Sequence, residues 1–485
     1  MTPSPRCLAL GLSFAIATAA SAAEIPKPPE SSRAQQLVLQ MRTGSVRVAG
    51  GDTPAAEASK NRAAIKTVAE WLAYSIASPP FNGEPVPRED KTPTGVDRSM
   101  RALFEEAERF SYLPIATGNQ GRVSQEQLEY GAEFGKAVAV AAKVVLDNSA
   151  RPIERVNAVR LLSVAAKLPA PDLVDPLVDV VNNPKISDAE KLYAFQGLRN
   201  LLEQTDVLNP NDHIPDLRRD AVKLGKIAQA LTNYIMQKRT PRDDKDKAVI
   251  EYVRRHAVEA MARFKDGVLR KPNKDLVFRP SWTLARIMEQ DPTAFPPFTV
   301  QEQTEAATGF ALMRIDADLN LDVAAYTFAK ISVIFGRAAN VDSQRATRDS
   351  TLPIMHWRVA AARFSHALAT MREGAKPLPK TRYPDTLINL ANTANNLLAR
   401  IEKGGAAEPT GNESQAVITW MTDNPPKAWT ENPPKAATLY KDDPESILPF
   451  PTAPVLKTPD PKGTDPKKGP DPKSADPKKG PAKKP

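Results

Sequence analysis

Apolar residues recur every three or four positions along this chain, in segments that are separated by proline, glycine or asparagine. A period of about 3.6 residues is typical of a helix that buries one face, and the residue before a proline leaves the α region. The segment 55–77 shows the pattern clearly and ends at a Ser-Pro-Pro sequence. Its buried stripe is predicted to be Val68, Trp71, Leu72, Ser75 and Ile76. The pattern therefore predicts an all-α protein made of antiparallel helix pairs.

The predicted helices cover most of the chain between residues 35 and 403. They are 35–41, 55–77, 97–112, 124–147, 152–168, 172–182, 187–204, 216–239, 244–265, 280–290, 301–315, 319–337, 350–373 and 385–403. The most apolar stretch, 323–335, ends in β-branched residues and resembles a strand at that end. We predict a buried helix there, because the helical period continues on both sides and sustained period-two alternation is absent.

A short helix pattern recurs in the middle of the chain. It consists of a basic residue, two variable residues, Ala, an apolar residue, a polar residue, a small or apolar residue, and Leu or Met. Copies start at Arg155, Lys191 and Arg254, with a weaker copy at Arg358. The first two copies are 36 residues apart, the length of one helix pair, but the next spacing is 63. That spacing predicts an insertion or unusually long helices between the second and third copies.

The segment from Val253 to Phe264 resembles the second helix of a HEAT repeat, and residues 134–290 are similar to HEAT and armadillo-type α-solenoids. The resemblance implies stacked helix pairs with a concave surface that binds a partner, since such proteins act mostly as scaffolds. The uneven spacing leaves a second possibility open, an irregular or closed helical-repeat domain.

The N-terminus has the three parts of a secretory signal peptide at residues 1–22. Arg6 is the positive charge, 8–20 is an apolar stretch, and Ala20-Ser21-Ala22 is a small-residue cleavage site. The chain's one cysteine, Cys7, precedes the apolar stretch, so cleavage would leave a chain without thiols. We therefore expect an exported protein, periplasmic or extracellular, without disulfides or thiolate metal sites. No apolar run reaches the roughly 18–20 residues of a transmembrane helix.

The positive charge of the chain is concentrated at its C-terminus. Of the formal net charge of +9, residues 457–485 supply +5, with nine Lys against four Asp, and Arg6 supplies +1. This leaves +3 for residues 23–456, which does not favour a specific nucleic-acid-binding surface. The Lys, Pro and Asp composition of 457–485 predicts a disordered tail that contacts an anionic polymer or a membrane surface. The alternative is a solubilising tail without a fixed partner.

Residues 404–456 form a Pro-rich segment that repeats Asn-Pro-Pro-Lys-Ala at 424–428 and 432–436. Two large aromatic residues, Trp420 and Trp429, flank the first copy. Because such side chains bury a large apolar area, we expect part of this segment to dock on the helical body.

The sequence offers no catalytic motif, and we predict no catalytic, cofactor-binding or metal-binding residue. The four histidines, His213, His256, His356 and His366, are expected at the surface or in the core. His256 and Glu259 share a helix face, but a di-metal bundle site needs a second such pair. Two further segments, 316–322 and 131–137, resemble ligand-binding loops.

Residues 316–322 resemble the start of a calcium loop, but Leu321 and Thr327 replace its required Gly and Glu. A helix-capping turn, with Asp318 or Asn320 accepting backbone N–H bonds, is predicted instead. Residues 131–137 resemble a phosphate loop that is one residue short, with Ala137 in place of Ser or Thr. Its two glycines, four residues apart, predict close helix packing.

These observations divide the chain into seven parts. They are a signal peptide (1–22), a linker with a short helix (23–52), an N-terminal helical region (53–148), HEAT-like repeats (149–290), a C-terminal helical region (291–403), the Pro-rich segment (404–456) and the tail (457–485). The sequence favours an exported, non-catalytic scaffold that binds an unidentified protein partner in the cell envelope. The alternative is an α/α-fold enzyme that acts on polysaccharide or peptidoglycan through carboxylates brought together by the fold.

Overall fold

The structure is a computed structural model that describes most of the chain between residues 24 and 448. The described residues are 24–42, 55–78, 104, 105, 107, 125–168, 170–204, 217–348, 355–379, 384–403 and 411–448, the last range without 432–434, 436 and 442. The predicted signal peptide (1–22), the tail (457–485), His213 and most of the predicted helix 97–112 lie outside them. In the described residues the protein is all-α, as predicted.

The helices of the described residues are numbered here in chain order. They are α1 (Ser31–Arg42), α2 (Ala55–Ser75), α3 (Gln125–Asn148), α4 (Pro152–Ala165), α5 (Val174–Asn182), α6 (Asp188–Gln204), α7 (Ala221–Ile235), α8 (Asp244–Met261), α9 (Pro280–Met288), α10 (Val300–Leu312), α11 (Leu321–Arg348), α12 (Met355–Ala375), α13 (Pro384–Glu402), α14 (Gly411–Asp423) and α15 (Lys427–Thr430). Short 3₁₀ turns precede α5 and α7. None of these helices is long and apolar enough to cross a membrane.

Two antiparallel hairpins interrupt the helices. The strands are β1 (Leu269–Arg270), β2 (Leu276–Phe278), β3 (Ala437–Thr438) and β4 (Ile447–Leu448). Strands of two or three residues are too short to show alternation in a sequence, which is why none was predicted. Helix α14 was also not predicted, because its apolar stripe is embedded in proline-rich sequence.

The structure confirms the buried helix predicted at 323–335 and corrects the single helix predicted for 216–239. The segment 323–335 is part of the buried helix α11, as predicted. The single helix predicted for 216–239 is instead a 3₁₀ turn followed by α7, because the Asp220 carboxylate accepts the backbone N–H of Lys223 and starts a new helix. In α2, Val68, Leu72 and Ser75 are buried as expected, whereas Trp71 is half-buried.

Alternate helices stack in two layers. In layer A, α4 packs on α6, α6 on α8, α8 on α10, and α10 on α12. In layer B, α5 packs on α7, α9 on α11, and α11 on α13, while the hairpin β1–β2 packs on α7. Sequence neighbours join the layers, for example α3 with α4 and α9 with α10. One continuous hydrophobic core, from Val38 to Tyr440, fills the space between the layers.

A buried ion pair connects α8 to α10. Arg254 and Glu302 have side chains that are 2% and 0% exposed, and they form two hydrogen bonds of 2.6 and 2.9 Å. Arg254 also donates to the carbonyls of Pro296 and Pro297, while Glu302 completes a capping box with Thr299. The same carboxylate therefore caps α10 and holds the neighbouring helix.

The same arrangement connects α4 to α6. Arg155 donates from Nε to Glu190 Oε1 at 2.8 Å, and Glu190 is fully buried. Glu190 also accepts the backbone N–H and the hydroxyl of Ser187, at 2.9 and 2.6 Å. In both arrangements the arginine is the basic residue that starts a copy of the sequence pattern. We call this arrangement of arginine and capping-box glutamate the layer-A joint.

Two glycines allow their helices to approach neighbouring segments closely in this fold. A Cβ atom on Gly309 of α10 would lie 2.5 Å from Ala262 Cα, just after α8. A Cβ atom on Gly135 of α3 would collide with the side chain of Ala170. The segment 131–137 thus lies inside α3 rather than in a phosphate loop. The close approach predicted for its glycines is found at Gly135, but to Ala170 in the connection before α5 and not to another helix.

The C-terminal part of the described chain docks on layer B. Trp420 is buried, and the ring of Trp429 makes an edge contact with Tyr326 at 4.9 Å between centroids. The docking expected from the two tryptophans is therefore confirmed. Further on, residues 437–448 form a strap whose central side chain is Tyr440, one of the largest fully buried side chains.

Candidate functional site

All four copies of the sequence pattern lie in layer A. They fall on α4, α6, α8 and α12, and α10 takes its place in the layer without a recognisable copy. The second and third copies of the pattern are 63 residues apart. Between them lie one described helix, α7, and a long connection, part of which lies outside the described residues. The layer therefore continues across the irregular spacing, and its outward side chains form one surface.

Polar contacts run across this surface from helix to helix. Arg199 of α6 donates to Glu259 of α8 at 3.4 Å, and Arg255 of α8 donates to Gln301 of α10 at 3.1 Å. Arg263, just after α8, donates to Glu203 of α6 at 2.7 Å, and Arg363 of α12 donates to Glu305 of α10 at 2.7 Å. We call this surface the layer-A face. It comprises Arg199, Glu203, Arg255, His256, Glu259, Arg263, Gln301, Glu305 and Arg363.

The two deepest carboxylates of the layer-A face are covered by their arginine partners. The side chains of Glu259 and Glu305 are only 13% and 12% exposed. On layer B, by contrast, Asp175 of α5 and Lys226 of α7 are 56% and 52% exposed. These two glutamates are therefore better shielded from solvent than the charged pair on layer B.

The charges of the face are arranged by depth. The side chains of Arg199, Arg255 and Arg363 are 35–42% exposed, whereas Glu259 and Glu305 lie beneath them. Arg263 and Glu203 reverse this order, at 18% and 39% exposed. The groups that reach solvent on this face are therefore mainly guanidinium groups.

Two carboxylates of the face, Glu259 and Glu203, are held in their charged form. Burial by itself raises the pKa of Glu259, but the hydrogen bond and charge of His256 and the charges of Arg255 and Arg199 lower it to about 2. At Glu203 burial also raises the pKa, but Arg199 and Arg263 lower it below its ordinary value. A general acid of a glycoside hydrolase needs the opposite shift. Neither Glu259 nor Glu203 therefore has the electrostatics of a general acid.

Aromatic side chains extend the face at two places. The guanidinium of Arg160 on α4 lies 4.0 Å from the ring centroid of Phe104 and 5.9 Å from that of Tyr193 on α6, and no carboxylate among the described residues pairs with it. On α8, the ring of Tyr252 is about half exposed and makes an edge contact with His256. Sequence reasoning missed these residues, and only their shared helix face would have indicated them.

The three histidines among the described residues lie in the places expected from the sequence. His256 is half-buried in the layer-A face, and its Nδ1 lies 3.0 Å from Glu259. His356 and His366 are exposed on α12. In the described part of the chain, no group of three or more His, Cys, Asp or Glu side chains is arranged to hold a metal ion.

The calcium-like segment forms a turn, but the predicted capping residues are wrong. Asp316, not Asp318 or Asn320, accepts a backbone N–H, that of Asp318, at 2.9 Å. Asp318 pairs with Arg270 at 3.2 Å, and the Asn320 amide donates to the Thr438 carbonyl of the strap. These two side chains make long-range contacts, which a local sequence pattern does not reveal.

Comparison of the chain with models of protein families, with curated proteins and with solved structures finds no match.

Proposed function

We propose that this protein is an exported, non-catalytic scaffold of the cell envelope that binds a protein partner on the layer-A face. The observation that carries the proposal is the polar surface that continues across α6, α8, α10 and α12 through side-chain contacts between neighbouring helices. Stacked helix pairs expose such extended surfaces, and helical-repeat proteins use them for binding. The position of all four pattern copies on layer A supports the HEAT-like interpretation of the sequence.

Two further features support this proposal. The signal peptide predicted at residues 1–22 would direct the chain to the envelope. The half-exposed ring of Tyr252 contacts His256 on the same helix as Arg255, and Tyr and Arg are enriched in the energetic centres of protein interfaces. The lowered carboxylate pKa values give the alternative of a glycan-cleaving enzyme no support at this surface.

The test is a pull-down from envelope extract with the purified full chain as bait and mass spectrometry as the readout. We expect a partner that is captured by the full chain and by a chain lacking 457–485. Capture should be lost with Tyr252→Ala and retained with Val222→Ala, because Val222 is equally exposed but lies on layer B. If the folded chain captures no partner, or if Tyr252→Ala and Val222→Ala behave alike, the proposal is wrong.

A further inference from the structure

We infer that the layer-A face binds an acidic polypeptide segment, an inference that rests on the proposed function and specifies the chemistry of the partner. Three observations support it: the excess of arginine on the face, the depth at which its charges lie, and the charge of the chain's own tail.

The first observation is the balance of charges. The face holds Arg199, Arg255, Arg263 and Arg363 against three glutamates, and Arg160, which pairs with no carboxylate among the described residues, extends it on the α4 side. Its formal charge is therefore positive, although the body of the chain is close to neutral. Positive charge is concentrated here relative to the rest of residues 23–456.

The second observation is depth. The carboxylates of Glu259 and Glu305 are shielded, whereas the guanidinium groups of Arg255 and Arg363 project to solvent. An approaching partner therefore meets hydrogen-bond donors with positive charge first. Each guanidinium is already held in place by a glutamate, so little side-chain entropy is lost when it binds a second carboxylate.

The third observation, the positive charge of the chain's own tail, favours an acidic polypeptide over two other possible occupants of the face, the tail itself and an anionic polymer. The chain's own tail carries nine Lys and four Asp, so it would be repelled by the face rather than bound. An anionic polymer would suit mobile lysines along an open groove, but this face offers fixed arginines beside the exposed side chains of Val249 and Tyr252. Mixed aromatic and arginine surfaces are typical of protein interfaces.

The experiment measures the binding of a fluorescent Glu-rich peptide to the full chain by anisotropy, beside a peptide with Gln at each Glu position. We expect the Glu-rich peptide to bind at least tenfold more tightly and its affinity to fall as salt is raised. Replacing two exposed arginines, in Arg255→Gln/Arg363→Gln, should weaken binding about tenfold.

The control is Arg242→Gln/Lys226→Gln, which removes the same net charge outside the face and should leave the affinity unchanged. Arg255→Gln alone is a second test in case the double variant does not fold, because His256 and Arg199 still hold Glu259. Circular dichroism confirms that each variant is folded.

Three results would overturn the inference. The first is equal binding of the two peptides. The second is a face variant that binds as tightly as the control variant, which would assign the binding to the Lys-rich tail. The third is displacement of the peptide from the face by polyphosphate, which would make the occupant an anionic polymer. A partner from envelope extract that requires Tyr252 but ignores the arginine changes and salt would leave the scaffold proposal standing and refute this inference alone.

Discussion

Replacing Arg254 with Met should destabilise the protein by about 3–5 kcal/mol, the cost of removing one member of a fully buried ion pair. Arg254 and Glu302 are 2% and 0% exposed, so Glu302 would keep a negative charge without its partner. The carbonyls of Pro296 and Pro297 would lose their donors as well. The measurement is the free energy of unfolding in urea, followed by circular dichroism.

A second substitution tests the reason for this loss. In Arg254→Met/Glu302→Gln the buried side chain is neutral and can still cap α10 through Thr299, so the double variant should recover part of the stability. Arg242→Met, just before the same helix, removes an arginine that is 87% exposed and pairs with Asp246, and should not shift the unfolding midpoint measurably. A loss below about 1 kcal/mol in Arg254→Met, or a double variant no better than the single one, would refute the reasoning.

Three further predictions follow from other contacts. Gly309→Ala should cost about 1–3 kcal/mol in urea unfolding because its Cβ meets Ala262, whereas Gly374→Ala, whose Cβ would make only an ordinary 3.7 Å contact with Ile315, should stabilise α12 by up to about 1 kcal/mol. The lowered pKa of Glu259 stabilises the fold above its ordinary value of 4.5, and this contribution, about 2 kcal/mol, disappears as the pH falls from 4.5 to about 2. A Glu259→Gln chain should therefore lose less stability over that range. Tyr440→Ala should release the strap, so limited proteolysis should cleave near residue 440 faster than in the unchanged chain.

Much of the fold was predictable because its cause is local. The helical period, the prolines that end helices and the capping residues act within a few positions, so α3 to α13 agree with the predicted helices to within a few residues at most of their ends. The predicted burial of 323–335 in α11 is confirmed for the same reason. The bounds proposed for the seven parts of the chain remain predictions, since the core runs from Val38 to Tyr440 through several of them.

The rest depended on contacts between distant residues. The sequence pattern identified Arg155 and Arg254 as recurrent basic residues, but their partners lie 35 and 48 positions away. The two partner glutamates, Glu190 and Glu302, could have been noticed in the Ser-x-x-Glu and Thr-x-x-Glu capping sequences that start α6 and α10. The layer-A face could not be predicted, because its residues belong to separate helices and become a surface only when those helices stack.

The strap also sets an order of events during synthesis. Asp443 pairs with Arg279 across 164 positions at 2.8 Å, and the Tyr440 hydroxyl meets that of Ser281 across 159. Helix pairs bury most of their surface against neighbours in sequence and can fold as they emerge, N-terminal first. The contacts that Arg279 and Ser281 make with the strap form only after residues 437–448 have been synthesised. A chain interrupted before residue 437 would therefore hold folded helices without these two contacts, an incomplete state that differs from the finished protein at the surface that Tyr440 covers.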